Sequence, residues 1–191
     1  NEIFVTNPFG IPKIFHWENY VNAWTKYNVP SYFGNSVLVS IGTVSLTIFC
    51  ALLFSYATAR MRWKGKNVAR TYIAAGLFIP IQAILIPIVK VVQACGLMNT
   101  RWSLILPYVA MNLAFATMVY YGFFKGIPLE LEEAACMDGA TIYQTFFRII
   151  CPLVRPATVT LVIYIFLTAW NEFILANVVV GSIDKLKTLP L

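Results

Sequence analysis

Charged and chemically reactive side chains are scarce in this 191-residue sequence. Asp, Glu, Lys and Arg make up 12% of it, against about 25% in ordinary soluble domains. The one histidine, His16, has no Cys, Asp or His neighbour that would give it a catalytic or metal-binding role. The cysteines lack the spacing of metal ligands or of a disulfide framework: they are Cys50, Cys95, Cys136 and Cys151. We therefore expect no enzyme active site, no metal and no cofactor.

Apolar residues, by contrast, are abundant. They account for 59% of the sequence, and the mean hydropathy is +0.72. Such a composition is typical of a membrane protein that crosses the bilayer several times. The net charge of +6 does not indicate nucleic-acid binding, because the basic residues are scattered among apolar segments and do not cluster on one face.

Several uncharged or nearly uncharged runs reach the length of about 20 residues that crosses a hydrocarbon core of ~30 Å. The predicted spans are Ser36–Ala59, Thr71–Val92, Ser103–Phe124 and Ala157–Val180. Pro80 and Pro87 predict a kink in the second span. We therefore predict an all-α fold, a polytopic transmembrane helical bundle with four spans.

The charge pattern predicts the orientation of these spans. The densest basic cluster lies between Arg60 and Arg70, and short basic loops stay in the cytoplasm. This places residues 1–35 outside the cytoplasm, with an amphipathic surface helix over His16–Trp24. Both termini then lie outside the cytoplasm. The sequence begins with neither an initiator Met nor a signal peptide that would export the N-terminus. We therefore expect residues 36–191 to be an incomplete transmembrane domain that lacks a first and a last span.

A polar stretch at residues 125–156 interrupts the apolar runs. Acidic residues in its first half favour the start of a short helix, and Gly139 is suited to end that helix. Thr141 and Gln144 have the spacing of a capping box, which predicts a second helix from the next residue. Pro152 and Pro156 are expected to close it, because neither can continue the backbone hydrogen bonds of a helix. The stretch is thus predicted to form two short helices joined at a glycine.

The spacing within this stretch resembles the EAA loop of binding-protein-dependent ABC importer permeases. The matching positions are Glu133, Ala134, Ala135, Gly139, Ile149 and Pro152. The resemblance implies that the stretch is a cytoplasmic coupling loop, which seats in a cleft of the ATP-binding subunit dimer. It also implies that these residues and Asp138 carry the coupling, with Glu133 as the ion-pair partner of the ATPase.

Motifs elsewhere are similar to the sugar-uptake class of these permeases, of which the maltose-type systems are examples. They are NYVNAW at 19–24, GLMNT at 96–100, WSLIL at 102–106 and WNEF at 170–173. The resemblance implies a sugar substrate, a second permease subunit, an extracytoplasmic solute-binding protein and a location in the inner, or cytoplasmic, membrane. Polyamine, phosphate and amino-acid permeases are the alternatives within the family, and an ion-coupled secondary transporter is the alternative outside it.

Polar residues within the spans are candidates for the substrate pathway, because ionisable groups inside a membrane usually face a cavity or a partner. Asn171, Glu172 and Asn177 are the candidates, since carboxylates and amides suit sugar hydroxyls. The alternative for Glu172 is water or a structural partner. Asn112 is open to a similar choice between a hydrogen bond across helices and the pathway.

Aromatic residues near the predicted span ends are expected to lie at the lipid headgroups. They are Trp63, Trp102, Tyr108, Tyr120 and Tyr121. The sequence thus predicts general contact with membrane lipid as well.

Overall fold

The computed structural model describes residues 16–26, 28–180 and 183–191. Within these ranges the chain is helical and contains no strand. The helices are α1 Glu18–Lys26, α2 Val29–Arg60, α3 Lys66–Ala75, α4 Ile81–Ala94, α5 Trp102–Gly126, α6 Glu130–Met137, α7 Ile142–Thr145, α8 Cys151–Leu153, α9 Arg155–Trp170 and α10 Ile174–Val180. A π-helical turn, Phe146–Ile150, links α7 to α8. The predicted all-α bundle is confirmed.

Helix α2, with 32 residues, is the axis of the bundle and packs mainly against α5 and α9. Its buried face is made of small and mostly hydroxyl-bearing residues, whereas its exposed face carries large apolar ones. The small buried residues include Ser36, Ser40, Thr43, Thr47, Ala51 and Ser55. The exposed apolar residues include Leu38, Ile41, Phe49 and Leu53. Small residues between helices and bulky ones outside are typical of helices that face lipid.

The predicted first and third spans are confirmed as α2 and α5, each long and apolar enough to cross a membrane alone. The second span was predicted as one kinked helix, and this is wrong, because the chain forms two separate helices here. Its two halves, Lys66–Phe78 and Ile81–Ala94, meet at 112°. Pro80 explains the break, because it forces Ile79 into an extended conformation, with φ −95° and ψ 111°.

The predicted fourth span is also corrected, since α9 ends at Trp170 instead of continuing to residue 180. Residues 171–173 break the helix, and α10 starts anew at Ile174. Nor does Pro152 stop the preceding helix: it lies in the first turn of α8, where no backbone N–H is needed. The helical segment ends one residue later, at Leu153, and Pro156 lies in the first turn of α9. The helical segment 142–153 instead meets α9 at a bend of 71°. The described residues therefore hold two continuous candidate spans, or up to four if each bent pair counts as one.

The segment before α2 is only partly described, and residues 1–15 of the predicted extracytoplasmic stretch lie outside the described residues. The predicted surface helix at His16–Trp24 is present as α1, two residues further along. Helix α2 begins at Val29, inside the stretch that was predicted to precede the first span.

Two apolar clusters occupy the two ends of the bundle. One joins α2, α5 and α9 to the polar stretch at 125–156, and we call this the loop end; its members include Tyr56, Phe124, Phe146, Ile150 and Leu161. The other, at the opposite end, includes Val39, Leu104, Tyr108, Leu175 and Val179. The predicted location at the headgroups is wrong for Tyr108 and Tyr120, which are 2% and 0% exposed.

Candidate functional site

The polar stretch folds into two short helices with a defined turn between them. Gly139 has a left-handed φ of +79°, a conformation that glycine adopts without steric cost. The Gly139 N–H donates to the Cys136 carbonyl at 3.0 Å, and the Ala140 N–H donates to the Ala135 carbonyl at 2.9 Å. These two bonds form a Schellman motif, which satisfies the last carbonyl groups of α6. The predicted glycine stop is confirmed.

The second helix begins with the predicted capping box. The Thr141 hydroxyl accepts from the Gln144 backbone N–H at 3.3 Å, and the Gln144 side chain accepts from the Thr141 backbone N–H at 2.7 Å. These reciprocal bonds fix the direction of α7 relative to the glycine turn.

Glu132 attaches this pair of helices to the end of α2. Its Oε1 lies 3.0 Å from the Arg60 Nε, and its Oε2 accepts from the Tyr56 hydroxyl at 3.1 Å. The same arginine donates through Nη2 to the carbonyl of Ile127, where the chain leaves α5. Arg60 therefore holds both the entry to the loop and its first helix.

Aromatic rings support this polar contact from within the bundle. Tyr56 packs against Phe146 with 4.6 Å between ring centroids, and against Phe124 with 5.7 Å. Phe146 and Ile150 are buried in the loop-end cluster. The π-helical turn that contains both residues is therefore anchored to α2 and α5 by apolar contacts.

The residues expected to carry the coupling divide between an outer surface and an inner one. The outer set, which we call the tip of the loop, is exposed and consists of Glu133, Ala134, Asp138 and Gly139. The inner set is Ala135, which is buried, and Ile149 and Pro152, which are partly buried. Large apolar side chains share the outer surface: Leu129, Met137, Ile142, Tyr143 and Phe147 are 54%, 84%, 50%, 74% and 57% exposed. A rigid tip thus presents acidic and apolar groups together.

Sequence reasoning chose Glu133 and missed Glu132, Arg60 and Tyr56. Residues three apart in a helix share a face, and Glu132 lies three residues before Ala135, the buried residue of α6. The sequence did not mark that face, because Ala134 is the same residue type and is exposed.

The polar residues proposed for the pathway lie at the opposite end. The Glu172 carboxylate accepts from the Tyr108 hydroxyl at 2.6 Å and from the backbone N–H groups of Leu175 and Ala176 at 2.8 and 3.0 Å. It therefore caps the start of α10 and links it to α5. Asn171, at the end of α9, and Asn177, in α10, are exposed.

Asn112 forms a hydrogen bond across helices, which was one of the two alternatives that the sequence left open for it. Its Oδ1 accepts from the Thr168 hydroxyl at 3.0 Å, and its Nδ2 donates to the Tyr108 carbonyl at 2.8 Å. The side chain is therefore engaged between α5 and α9.

Comparisons with known proteins agree with this architecture. A family model described as "Binding-protein-dependent transport system inner membrane component" matches residues 44–190. The diacetylchitobiose uptake system permease protein NgcG of Streptomyces coelicolor is 37% identical over 181 residues, which are 95% of this chain and 60% of that protein. The sulfoquinovosyl glycerol transport system permease protein SmoH of Agrobacterium fabrum is 34% identical over 172 residues, 90% of this chain and 60% of that protein.

A solved structure shares the fold. It is a bacterial ABC transporter involved in the import of the acidic polysaccharide alginate, with a TM-score of 0.81 and 22% identity. The match covers 95% of this chain and 62% of that one. The chain thus spans about three fifths of the length of NgcG and of SmoH.

Proposed function

The chain belongs to the family of binding-protein-dependent transport system inner membrane components, and from this premise we propose that it forms one half of the translocation pathway of an ATP-driven importer. It is a multi-pass protein of the inner membrane. The other half would be a second permease subunit, and an extracytoplasmic solute-binding protein would deliver the substrate.

The proposed contact with the ATP-binding subunit dimer is the tip of the loop at residues 125–156. The observation that carries this proposal is the combination of a fixed turn at Gly139 with an exposed acidic and apolar surface around Glu133. Acidic and apolar groups held on a rigid support suit docking into a cleft lined by basic and apolar residues, because little conformational entropy is lost on binding. In this proposal Glu133 pairs with a basic residue of the ATPase.

Motion of the loop would then pass to the membrane helices by two routes. The loop is continuous with α5 and α9 through the chain itself, and it is attached to α2 through Arg60 and Glu132. A displacement of the tip by the closing ATPase dimer would therefore move the three helices of the bundle core together. Such rigid-body motion is a common way to alternate access between the two sides of a membrane.

We propose a sugar as the substrate, since NgcG and SmoH are named for the uptake of diacetylchitobiose and sulfoquinovosyl glycerol. The amides of Asn171 and Asn177 and the carboxylate of Glu172 are the proposed pathway groups. The amides are exposed, whereas the carboxylate is already engaged by three donors. This favours a direct role for the amides and a positioning role for Glu172.

Co-purification with the ATPase encoded beside the gene tests the proposal. The complete subunit should retain the ATPase, and Glu133→Lys should lose it. Glu130→Lys is the matched control, since it makes the same charge change on another exposed residue of α6. Equal retention by Glu133→Lys and the native chain would contradict the role of Glu133. If the native chain holds no ATPase while transport follows an ion gradient, the secondary-transporter alternative is correct.

A further inference from the structure

Two basic side chains at the loop end converge on one aromatic ring. The Arg70 guanidinium lies 4.5 Å from the centroid of the Tyr121 ring and also donates to the Tyr121 hydroxyl. The Lys125 Nζ lies 5.9 Å from the same centroid. Among the described residues, no carboxylate oxygen lies within 4.0 Å of either cation. The pair is therefore available to an anion.

Two crevices lie along the part of α5 that carries Tyr121, and one of them is lined by two residues of this group. One lies between α2, α3 and α5, has a volume of about 300 Å³, and has Arg70 and Tyr121 in its walls. The other is an apolar groove along α5 of about 760 Å³. Met118 lines both crevices. Gly122 and Gly126 keep the groove open, because no atom lies within 4 Å of the position where a Cβ would stand on either residue.

The position of these groups along the bundle indicates what the anion is. Lys125 lies in the last turn of α5, a helix long and apolar enough to span the membrane. Arg70 lies on α3, directly after the exposed basic loop. We place the boundary between membrane and water at this end of α5, and both crevices lie along the apolar part of α5 that leads away from it. Basic pockets between membrane helices at this depth bind acidic lipid headgroups.

We propose that Arg70, Lys125 and Tyr121 bind the phosphate of one anionic phospholipid, whose acyl chains lie in the two crevices beside Met118. The Tyr121 hydroxyl oxygen accepts a hydrogen bond from Arg70, so its O–H is still available to donate a hydrogen bond to the phosphate. The two cations supply the preference for a negatively charged headgroup. The apolar crevices supply the preference for a lipid over a free anion.

Native mass spectrometry of the complete transporter in detergent tests this, with phosphatidylglycerol and phosphatidylcholine of matched acyl chains as probes. The native complex should retain phosphatidylglycerol preferentially. Each cation removed should weaken that retention about fivefold, so that Arg70→Gln with Lys125→Gln lowers it about 25-fold. Arg70→Lys should keep most of it. Gly122→Leu fills the groove without changing the charge, and we expect it to lower retention of the lipid as well.

Arg62→Gln with Lys64→Gln is the matched control, because both residues are exposed in the neighbouring basic loop and neither lines a crevice. Equal loss in this control would show that total charge attracts the lipid and would overturn the site. Unchanged retention in the Arg70 and Lys125 double variant would also overturn it. Release of the lipid by excess inorganic phosphate, with Gly122→Leu having no effect, would assign the site to a free anion instead.

Discussion

Arg60, the last residue of α2, and Glu132, in the first turn of α6, form an ion pair with 3.0 Å between Nε and Oε1. Their side chains are 6% and 18% exposed, so solvent ions screen the pair less than they would a surface pair. The pair joins the loop at residues 125–156 to a helix with which the loop is not continuous. The pair therefore ties the loop directly to α2.

Glu132→Gln should weaken this joint, because it leaves the Arg60 charge buried without its counter-charge. We expect the free energy of unfolding to fall by about 3 kcal/mol. Glu133→Gln, one residue away and exposed, should change it by less than about 0.5 kcal/mol. Denaturant unfolding of the purified subunit in detergent measures both. Equal stabilities would mean that the ion pair does not hold the loop.

Gly139→Ala should strain the turn between α6 and α7, since a side chain there must adopt a left-handed φ of +79°. The expected cost in unfolding free energy is about 1–2 kcal/mol. Gly34→Ala provides the control, because Gly34 lies within α2 with open space around it, and alanine there should be neutral or stabilising by up to ~1 kcal/mol. A neutral Gly139→Ala variant would argue against the turn described above.

Thr141→Ala should remove one half of the capping box and cost about 1 kcal/mol of local stability. Hydrogen exchange is the appropriate measurement, because the lost bond protects the Gln144 amide directly. Exchange at that amide should accelerate, while Thr160→Ala should leave it unchanged. The Thr160 hydroxyl bonds only within its own helix, to the Pro156 carbonyl.

Glu172→Gln should destabilise the opposite end, because an amide offers one acceptor oxygen where the carboxylate has two. At least one of the donors from Tyr108, Leu175 and Ala176 loses its acceptor, at an expected cost of about 1–3 kcal/mol. Tyr108→Phe should cost about 1 kcal/mol by removing a single donor. An unchanged melting temperature in Glu172→Gln would contradict the capping role.

Asn177→Ala distinguishes a role in substrate binding from a role in stability. Asn177 is exposed, so we expect its stability change to stay within about 0.5 kcal/mol. If its amide contacts substrate, the KM for transport should rise while the melting temperature stays constant. The control is Asn112→Ala, which should lower the melting temperature, since Asn112 bonds across helices. A native KM in Asn177→Ala would remove that residue from the pathway.

The features that could be predicted from sequence are those decided by neighbours in the chain. The capping box of Thr141 and Gln144 and the stop at Gly139 each depend on residues within one or two helical turns. Hydropathy likewise located the apolar runs. It could not give their directions, because the size of the bend at Pro80, 112°, and the break after Trp170 also depend on how α4 and α10 pack against α5, where Glu172 bonds Tyr108, 64 residues earlier.

The contacts that could not be predicted join distant parts of the chain. The residues around Glu132 do not indicate its hydrogen-bond partner, because Tyr56 lies 76 residues earlier in the sequence. The convergence of Arg70 and Lys125 on Tyr121 is of the same kind, because α3 and α5 meet only in the folded bundle. Their positions in the sequence predicted a cytoplasmic side for both residues, and only packing brought them to the same ring.

At the opposite end, Asn35 joins three parts of the chain. Its Nδ2 donates to the Lys185 and Lys187 carbonyls at 2.9 and 3.0 Å, and its Oδ1 accepts from Arg101. The first of these carbonyls lies 150 residues later in the sequence. A ribosome that adds 5–20 residues per second delivers it about 8–30 s after Asn35. During membrane insertion, therefore, Asn35 is made well before these two carbonyls, and its bonds to them form later than the contacts between α2 and α5 can.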